Sequence, residues 1–334
     1  MSDAFRIFGA EVSPYSVKVR SYFRYKGLPH EWIVRTPAVQ EEFQKYAKLP
    51  LIPVVVTPED EGLQDSTPIL ERIEARAPDP SIHPGDPALA FLSALIEEFG
   101  DEWGNKWMFH YRWWRDEDQI ATAARLAEVM APPGLSEEQR EGVAQGIRDR
   151  MKGRLWFVGS SEKTVEQIED SFHAAVDVLE RHLVGRPYLF GARPAFGDFG
   201  LWGQIYNAST DPTCGRILRE RGPAVMRWVE RMLDPKADGE FETWPALQPT
   251  LMPFLREQVG ALFLPWSDAN ARAIAGGQES FQVELAGRDW EQKPQKYHAR
   301  SLAALRKRYA ELSARADLDP ILEASDCLRW LGAD

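Results

Sequence analysis

The sequence predicts an α/β domain followed by an all-helical one, and three observations carry that prediction. Strand and helix signals alternate over the first 77 residues, residues 78–87 hold four prolines and a glycine, and helical periodicity dominates beyond them. A stretch so rich in proline suits neither a helix nor a central strand and is expected as a linker. The expected layout is an α/β domain over 1–77, a linker over 78–87, a helical domain over 88–261, and an extension over 262–334 packed on the helical domain.

Apolar and polar residues alternate through 4–9 (Phe5, Arg6, Ile7), the mark of a strand. After a short loop, 14–26 carries Val19, Tyr22 and Phe23 at helical spacing and stops before Gly27. Residues 30–34 read as a second strand, 39–48 as a short polar helix, 52–57 as a β-branched strand, 62–64 as the end of a hairpin and 66–77 as a helix. The order is β-α-β-α-β-β-α. In the helical domain Ser136 with Gln139, and Thr164 with Gln167, have the spacing of capping boxes. The second opens an apolar stripe of Val165, Ile168, Phe172, Leu179 and Leu183, and Pro223 begins a helix bearing Val225, Trp228 and Val229. After 262 the pattern weakens to a strand over 281–285 and a basic amphipathic helix over 297–314 bearing Leu302, Leu305 and Tyr309.

Composition narrows the function. The 334 residues carry 40 Lys and Arg against 51 Asp and Glu, a net charge of −11, which argues against a general nucleic-acid binder. Cys214 and Cys327 lie far apart in no metal-ligand spacing. Neither a disulfide scaffold nor a metal site is expected, and a reducing cytoplasm is. The first residues lack a basic segment leading into an apolar run, and no stretch approaches about 18 uninterrupted apolar residues, so no membrane partner is expected. Four of the 12 tryptophans (Trp103, Trp107, Trp113 and Trp114) crowd one short segment.

The strongest chemical signal is Val12-Ser13-Pro14-Tyr15-Ser16, where the first strand hands over to the first helix. Ser13 suits the N-cap and Pro14 the first helical position, so free N–H groups and the positive end of the helix dipole converge there. Such a place favours an anion, and a thiolate is a suitable one: a hydroxyl accepts the capping bond and still donates its own proton to sulfur. Lowering a thiol pKa by roughly two units takes about 2.7 kcal/mol. A charge-assisted hydrogen bond supplies roughly 1.5–3 kcal/mol and a helix terminus about 0.3–1 more. Further along, Pro53 heads the strand Val54-Val55-Val56, where a cis Ile52-Pro53 bond turns the chain and exposes the backbone of Ile52. Gln64-Asp65-Ser66-Thr67-Pro68 opens another helix, whose N-terminus suits a ligand carboxylate while Asp65 pairs with an ammonium. Taken singly, each of these is also an ordinary cap or loop proline.

Together, at these separations, they resemble the thioredoxin-fold half of the glutathione transferase superfamily. Ser13-Pro14-Tyr15-Ser16 looks like the serine counterpart of the Cys-Pro-Tyr-Cys redox motif of glutaredoxins. The resemblance implies a thioredoxin-like α/β N-terminal domain and a glutathione-transferase-like all-α C-terminal domain, with Ser13 as the catalytic contact to the glutathione sulfur. It assigns Ile52 and Pro53 to a loop that pairs with the glutathione backbone, and Gln64, Asp65 and Ser66 to the γ-glutamyl end. Tyr15 is a weaker candidate for the thiol contact. The run from Arg186 to Phe199 resembles the family's C-domain signature, in which a Ser or Thr caps a buried helix and an Asp sits three residues later. Here Ala195 stands at the cap, a loss of about 1 kcal/mol, while Asp198 is retained with a structural role expected.

If residues near 103–114 form the first long helix of the helical domain, the resemblance places Trp103, Trp107 and Tyr111 opposite Ser13, lining a pocket for a small hydrophobic electrophile. The alternative is an aromatic core or a dimer seam. Arg112 and Arg115 then meet an anionic substrate or pair with acids upstream. Glu97, Glu98, Asp101 and Glu102 share a helix face near His110, but with one histidine nearby they read as a solvated acidic face in preference to a metal set. The implied function is a glutathione transferase-like enzyme: glutathione is the co-substrate, its thiol attacks the electrophile, no metal is needed, and a homodimer is the implied assembly. A non-catalytic binding or scaffold protein on the same fold is the alternative. A glutathione-dependent thiol-disulfide oxidoreductase is disfavoured, because serine stands at both cysteine positions of the redox motif.

Overall fold

The computed structural model describes residues 4–132, 134–313 and 315–332. The N-terminal domain runs β1 (Phe5–Gly9), α1 (Pro14–Tyr25), β2 (His30–Val34), α2 (Gln40–Tyr46), β3 (Val54–Val56), β4 (Gly62–Gln64) and α3 (Ser66–Arg76). Its sheet has the order β2-β1-β3-β4, with β1 parallel to β2 and antiparallel to β3, and β3 antiparallel to β4. The parallel pair requires a crossover, which α1 supplies. Period-two alternation sorts the side chains. Ile7, Val55 and Leu63 join the core with α1 and α3, while Phe8, Val54 and Val56 turn to the other face against Phe43 of α2. The third strand is shorter than its β-branched run, because Pro53 has no N–H to give to the ladder.

The expected linker is held down. Ile82 is buried, its N–H donates to Glu74 Oε1 at 3.1 Å, and its carbonyl accepts from Phe196 N at 2.9 Å. Asp86 then caps α4 (Pro87–Phe99) by accepting from Ala88 N and Leu89 N. A π-helical turn over Gly100–Gly104 continues α4 into α5 (Asn105–Trp114). The helical domain continues through α6 (Asp116–Met130), α7 (Glu137–Lys152), α8 (Val165–Leu183), α9 (Phe196–Ser209), α10 (Pro212–Arg221), α11 (Pro223–Arg231) and α12 (Trp244–Phe254). Ser136 and Gln139 form the expected reciprocal capping box. Thr164 and Gln167 do not. Thr164 Oγ1 donates to Gly159 O in the preceding turn, and Gln167 Nε2 makes a tertiary bond to Asp289 O at 2.7 Å, so neither side chain closes a cap.

The boundary expected at 262 falls inside a helical run. From α12 a π-helical segment, Leu255–Phe263, passes without a break into α13 (Leu264–Ala275). Beyond it lie the hairpin β5 (Phe281–Leu285) and β6 (Arg288–Gln292), then α14 (Lys296–Glu311), α15 (Asp319–Ala324) and α16 (Leu328–Leu331). The expected helix end at Ala314 lies outside the described residues. The extension packs on the helical domain, as Tyr309 does against Phe91 with ring centroids 5.8 Å apart. It also reaches the α/β domain, pairing Arg308 with Glu71 of α3.

Asp198, buried on α9, accepts from Leu189 N and Ala195 N at 2.8 Å each and from Trp228 Nε1 at 2.9 Å. Three segments of the helical domain, the loop at Leu189, α9 with its cap and α11, meet on that one carboxylate. Nearby, the His182 ring on α8 lies between Thr250 Oγ1 and Leu189 O, 2.8 Å from each, and burial pulls its pKa down to about 4. The unfolded chain protonates this histidine near its ordinary value of about 6.5 while the folded chain does not, so stability is lost as pH falls through that interval. The loss is about 1.4 kcal/mol per pH unit. In urea unfolding, the advantage of wild type over His182→Asn is therefore expected to shrink steadily from pH 6.5 to pH 4 and to stay constant above pH 7.

Candidate functional site

Ser13 sits at the N-cap of α1 in an extended conformation, accepting from Ser16 N at 3.3 Å, with Pro14 at the first helical position. Its hydroxyl proton remains available to a ligand. Ser16 is buried, and its Oγ has no partner among the described residues. The loop before Ser13 is clamped from the helical domain. Arg112 Nη1 donates to Val12 O at 2.9 Å while its Nε holds Asp211 at 2.7 Å, and Tyr206 OH donates to Glu11 Oε1 at 2.6 Å. Arg112 is thus spent on positioning the loop, and Arg115 pairs with Glu169; neither is held open for an anionic substrate.

A cavity of about 330 Å³ opens beside the N-termini of α1 and α3. Tyr15, Ile52, Pro53, Gln64, Asp65 and Ser66, drawn from three separate stretches of sequence, all line it. Ser13 stands two residues before Tyr15 and is not itself on the lining. The Ile52–Pro53 peptide is cis, as expected. The Tyr15 hydroxyl donates to the Asp101 carbonyl at 3.0 Å, and burial pushes its pKa up, so its proton is already committed within the protein. Gln64 is likewise engaged: its Oε1 accepts from Lys48 N and Leu49 N, and its Nε2 donates to Leu49 O and Leu51 O. With two bonds at each end, this amide shapes the wall of the cavity instead of reaching into it. Asp65 has a left-handed backbone (φ 80) and accepts from Tyr297 OH, which comes from the extension.

Beneath Ser66 lies a cluster that sequence reasoning missed. Lys18 of α1 is fully buried, with its ammonium against Glu97, 2.7 Å from Asp101 Oδ2, 3.1 Å from Thr67 Oγ1 and 3.4 Å from Ser66 Oγ. Burial opposes its charge, but Asp101 and Glu97 outweigh that and raise its pKa. Burial pushes the Asp101 carboxyl up to about 7, against the pull of Lys18. The acidic face expected to be solvated therefore turns inward. The available signal was Lys18 itself, four residues before the core residue Tyr22 on an amphipathic helix. Glu102 meets Ser301 at 2.8 Å and His298, both from α14. His110 bonds Ser160 and Glu169, well away from the other acids.

Trp103, Trp107 and Tyr111 are each only 1% exposed. Both indole N–H groups donate to Ser171 Oγ, at 2.9 and 3.0 Å. They do not join the cavity at Ile52–Pro53. Packing explains the difference from expectation: Trp266 and Trp290 of the extension lie against Trp103 with ring centroids 5.8 and 5.5 Å away, while Trp107 and Tyr111 both pack on Phe172 of α8.

Residues 7–81 match the model of the glutathione S-transferase N-terminal domain, and residues 162–231 match that of the C-terminal domain. The chain belongs to the glutathione transferase superfamily, with a thioredoxin-like N-terminal domain and a helical C-terminal domain. A curated relative, the isoprene-epoxide–glutathione S-transferase of Rhodococcus sp. (strain AD45), is 24% identical over 229 residues, covering 66% of this chain and 92% of that protein. Similar solved structures include a Tau class glutathione S-transferase from mango, Mangifera indica, at 19% identity and a TM-score of 0.45, covering 74% of this chain and 97% of that one. Another is a glutathione S-transferase from Methylobacillus flagellatus KT with glutathione bound, at 16% identity and a TM-score of 0.42, covering 69% and 95%.

Removing Lys18 leaves two buried carboxylates without a counter-charge. Lys18→Met is expected to destabilise the fold by about 3–5 kcal/mol. The loss in urea unfolding should be larger at pH 8 than at pH 5.5, where Asp101 takes up a proton and the repulsion eases.

Proposed function

We propose that the protein is a glutathione transferase in which Ser13 stabilises the thiolate of bound glutathione for attack on a small hydrophobic electrophile. The observation that carries this reading is the convergence of Tyr15, Ile52–Pro53 and Asp65–Ser66 on one cavity next to Ser13. The glutathione backbone then lies along Ile52 and its γ-glutamyl unit at Asp65 and the N-terminus of α3. Ser13 keeps its capping bond from Ser16 N and donates its own proton to the sulfur. Tyr15, its proton held by Asp101, does not compete for that role. Charge-assisted donation of about 1.5–3 kcal/mol corresponds to one to two pKa units on the thiol, which leaves a substantial thiolate fraction at neutral pH. The sulfur forms the new bond to carbon and the electron pair departs with the leaving group or, for an epoxide, onto the ring oxygen.

Glutathione is co-substrate in this reading, with no resident metal, and a homodimer is the assembly carried from the family resemblance. Cys214 and Cys327 are both buried and unpaired, which suits a reducing cytoplasm. The test is isothermal titration with reduced glutathione beside a turnover assay with an epoxide or aryl halide. Wild type should bind saturably and Asp65→Ala should weaken binding about 10-fold. Ser13→Ala should still bind but lose about 10- to 100-fold in rate at pH 6.5, with less loss at pH 9, where free thiol ionises unaided. Absence of heat at millimolar glutathione with the fold intact would favour the non-catalytic module instead.

A further inference from the structure

Two residues of the cavity come from neither matched domain. Tyr297 and Arg300 lie on one face of the first turn of α14, and both line the space that holds Tyr15, Ile52–Pro53 and Asp65–Ser66. Tyr297 OH bonds both carboxylate oxygens of Asp65, at 3.0 and 2.9 Å. Asp65 needs such a restraint, since its backbone occupies the left-handed region that costs a non-glycine residue free energy. Arg300 makes no hydrogen bond or ion pair among the described residues, and it is the only cation lining this cavity.

The same two residues border a second cavity of about 570 Å³, shared with Asp65, Glu71, Glu97, Glu98 and Asp101. Lys307 and Arg308 line that cavity as well, but they answer Glu311 and Glu71 while the buried Lys18 answers Glu97 and Asp101, so among the described residues Arg300 is the cation beside Asp65 that has no ion pair. A γ-glutamyl unit carries an ammonium and a carboxylate on one carbon. Asp65 answers the ammonium, and the carboxylate, placed at the N-terminus of α3, is held more firmly where a cation also meets it. The guanidinium of Arg300 is a planar fork matched to a carboxylate, and it stands unpaired where that group arrives.

We propose that the C-terminal extension completes the glutathione site: Arg300 receives the α-carboxylate of the γ-glutamyl unit, and Tyr297 is a positioning residue that holds Asp65 for the ammonium. This rests on glutathione occupying the cavity as read above. In a merely electrostatic role, Arg300 would offset the acids of the second cavity without regard to the ligand.

Two analogues separate these cases. γ-Aminobutyryl-cysteinyl-glycine keeps the ammonium and lacks the α-carboxylate, whereas glutaryl-cysteinyl-glycine keeps the carboxylate and lacks the ammonium. In isothermal titration of the full chain, Arg300→Ala should bind glutathione about 10-fold more weakly and leave the first analogue unchanged, with partial recovery in Arg300→Lys. Tyr297→Phe should weaken glutathione severalfold and spare the glutaryl analogue. Both positions are exposed, and thermal melts verify that the variants stay folded. Equal loss on glutathione and analogue, or no loss, with wild-type binding still sensitive to Asp65→Ala, overturns the proposal and leaves the glutathione site standing. A wild type that binds no glutathione overturns both.

Discussion

The buried ammonium of Lys18 is the interaction on which the placement of the site depends. It joins α1, which carries Ser13, to Ser66 and Thr67 at the start of α3 and to Glu97 and Asp101 at the end of α4. A lone cation there would be costly, and so would two bare carboxylates; together, with the hydroxyls of Ser66 and Thr67, they offset most of each other's desolvation. Because the bonds are directional, the two helix N-termini that face the cavity are held in a fixed relation. The cluster gains little net stability over an apolar packing of the same shape. What it fixes is geometry, and the hydrogen bond from the Tyr15 hydroxyl to the Asp101 carbonyl draws the start of α1 into the same network.

Close backbone approach makes that cluster possible. α9 lies against both α1 and α4, and a Cβ at Gly203 would stand 2.7 Å from Pro14 O, while one at Gly200 would stand 2.7 Å from Glu97 O. Glycine inside a helix costs roughly 1 kcal/mol relative to alanine. At these positions the cost is offset by contact that no larger residue permits, and Arg112, Asp211 and Asn207 then lock the end of α9 to the loop at Val12.

The parts of the site set by local chain chemistry were legible in the sequence. The cap at Ser13, the proline after it, the cis Ile52–Pro53 bond and the placement of Asp65 at a helix start each depend on a few adjacent residues, and each stands as expected. The parts set by long-range packing were not. Glu97 and Asp101 read as a solvated face because the residue that buries them, Lys18, lies some 80 positions earlier. Gln64 has the chemistry of a ligand contact, yet its amide is consumed by the 48–51 loop, which no spacing rule announces. β6 went unseen because Arg288-Asp289-Trp290-Glu291-Gln292 is polar at every position but one, and only its partner strand reveals that Trp290 faces inward.

The aromatic residues of α5 and the extension explain each other. Lys106 is buried with its ammonium 3.6 Å from the centroid of Trp266 and within 5.4 Å of Trp103 and Trp290, bonded to Val158 O and Gln292 Oε1. Among the described residues it has no carboxylate partner, and burial lowers its pKa well below the usual lysine value. Such a group stays buried only where rings and carbonyls surround it closely, so the cage ties α13 and β6 firmly to α5. From that anchor the chain turns at Asn270 and Gln295, which exchange hydrogen bonds of 2.9 and 2.7 Å, directly into α14. The helix that brings Tyr297 to Asp65 is therefore fixed at its root as well as at its contact. A ligand meeting side chains so held loses less of its binding free energy to ordering them. Trp103, expected to touch an electrophile, serves instead as the footing of the segment that brings Tyr297 to Asp65.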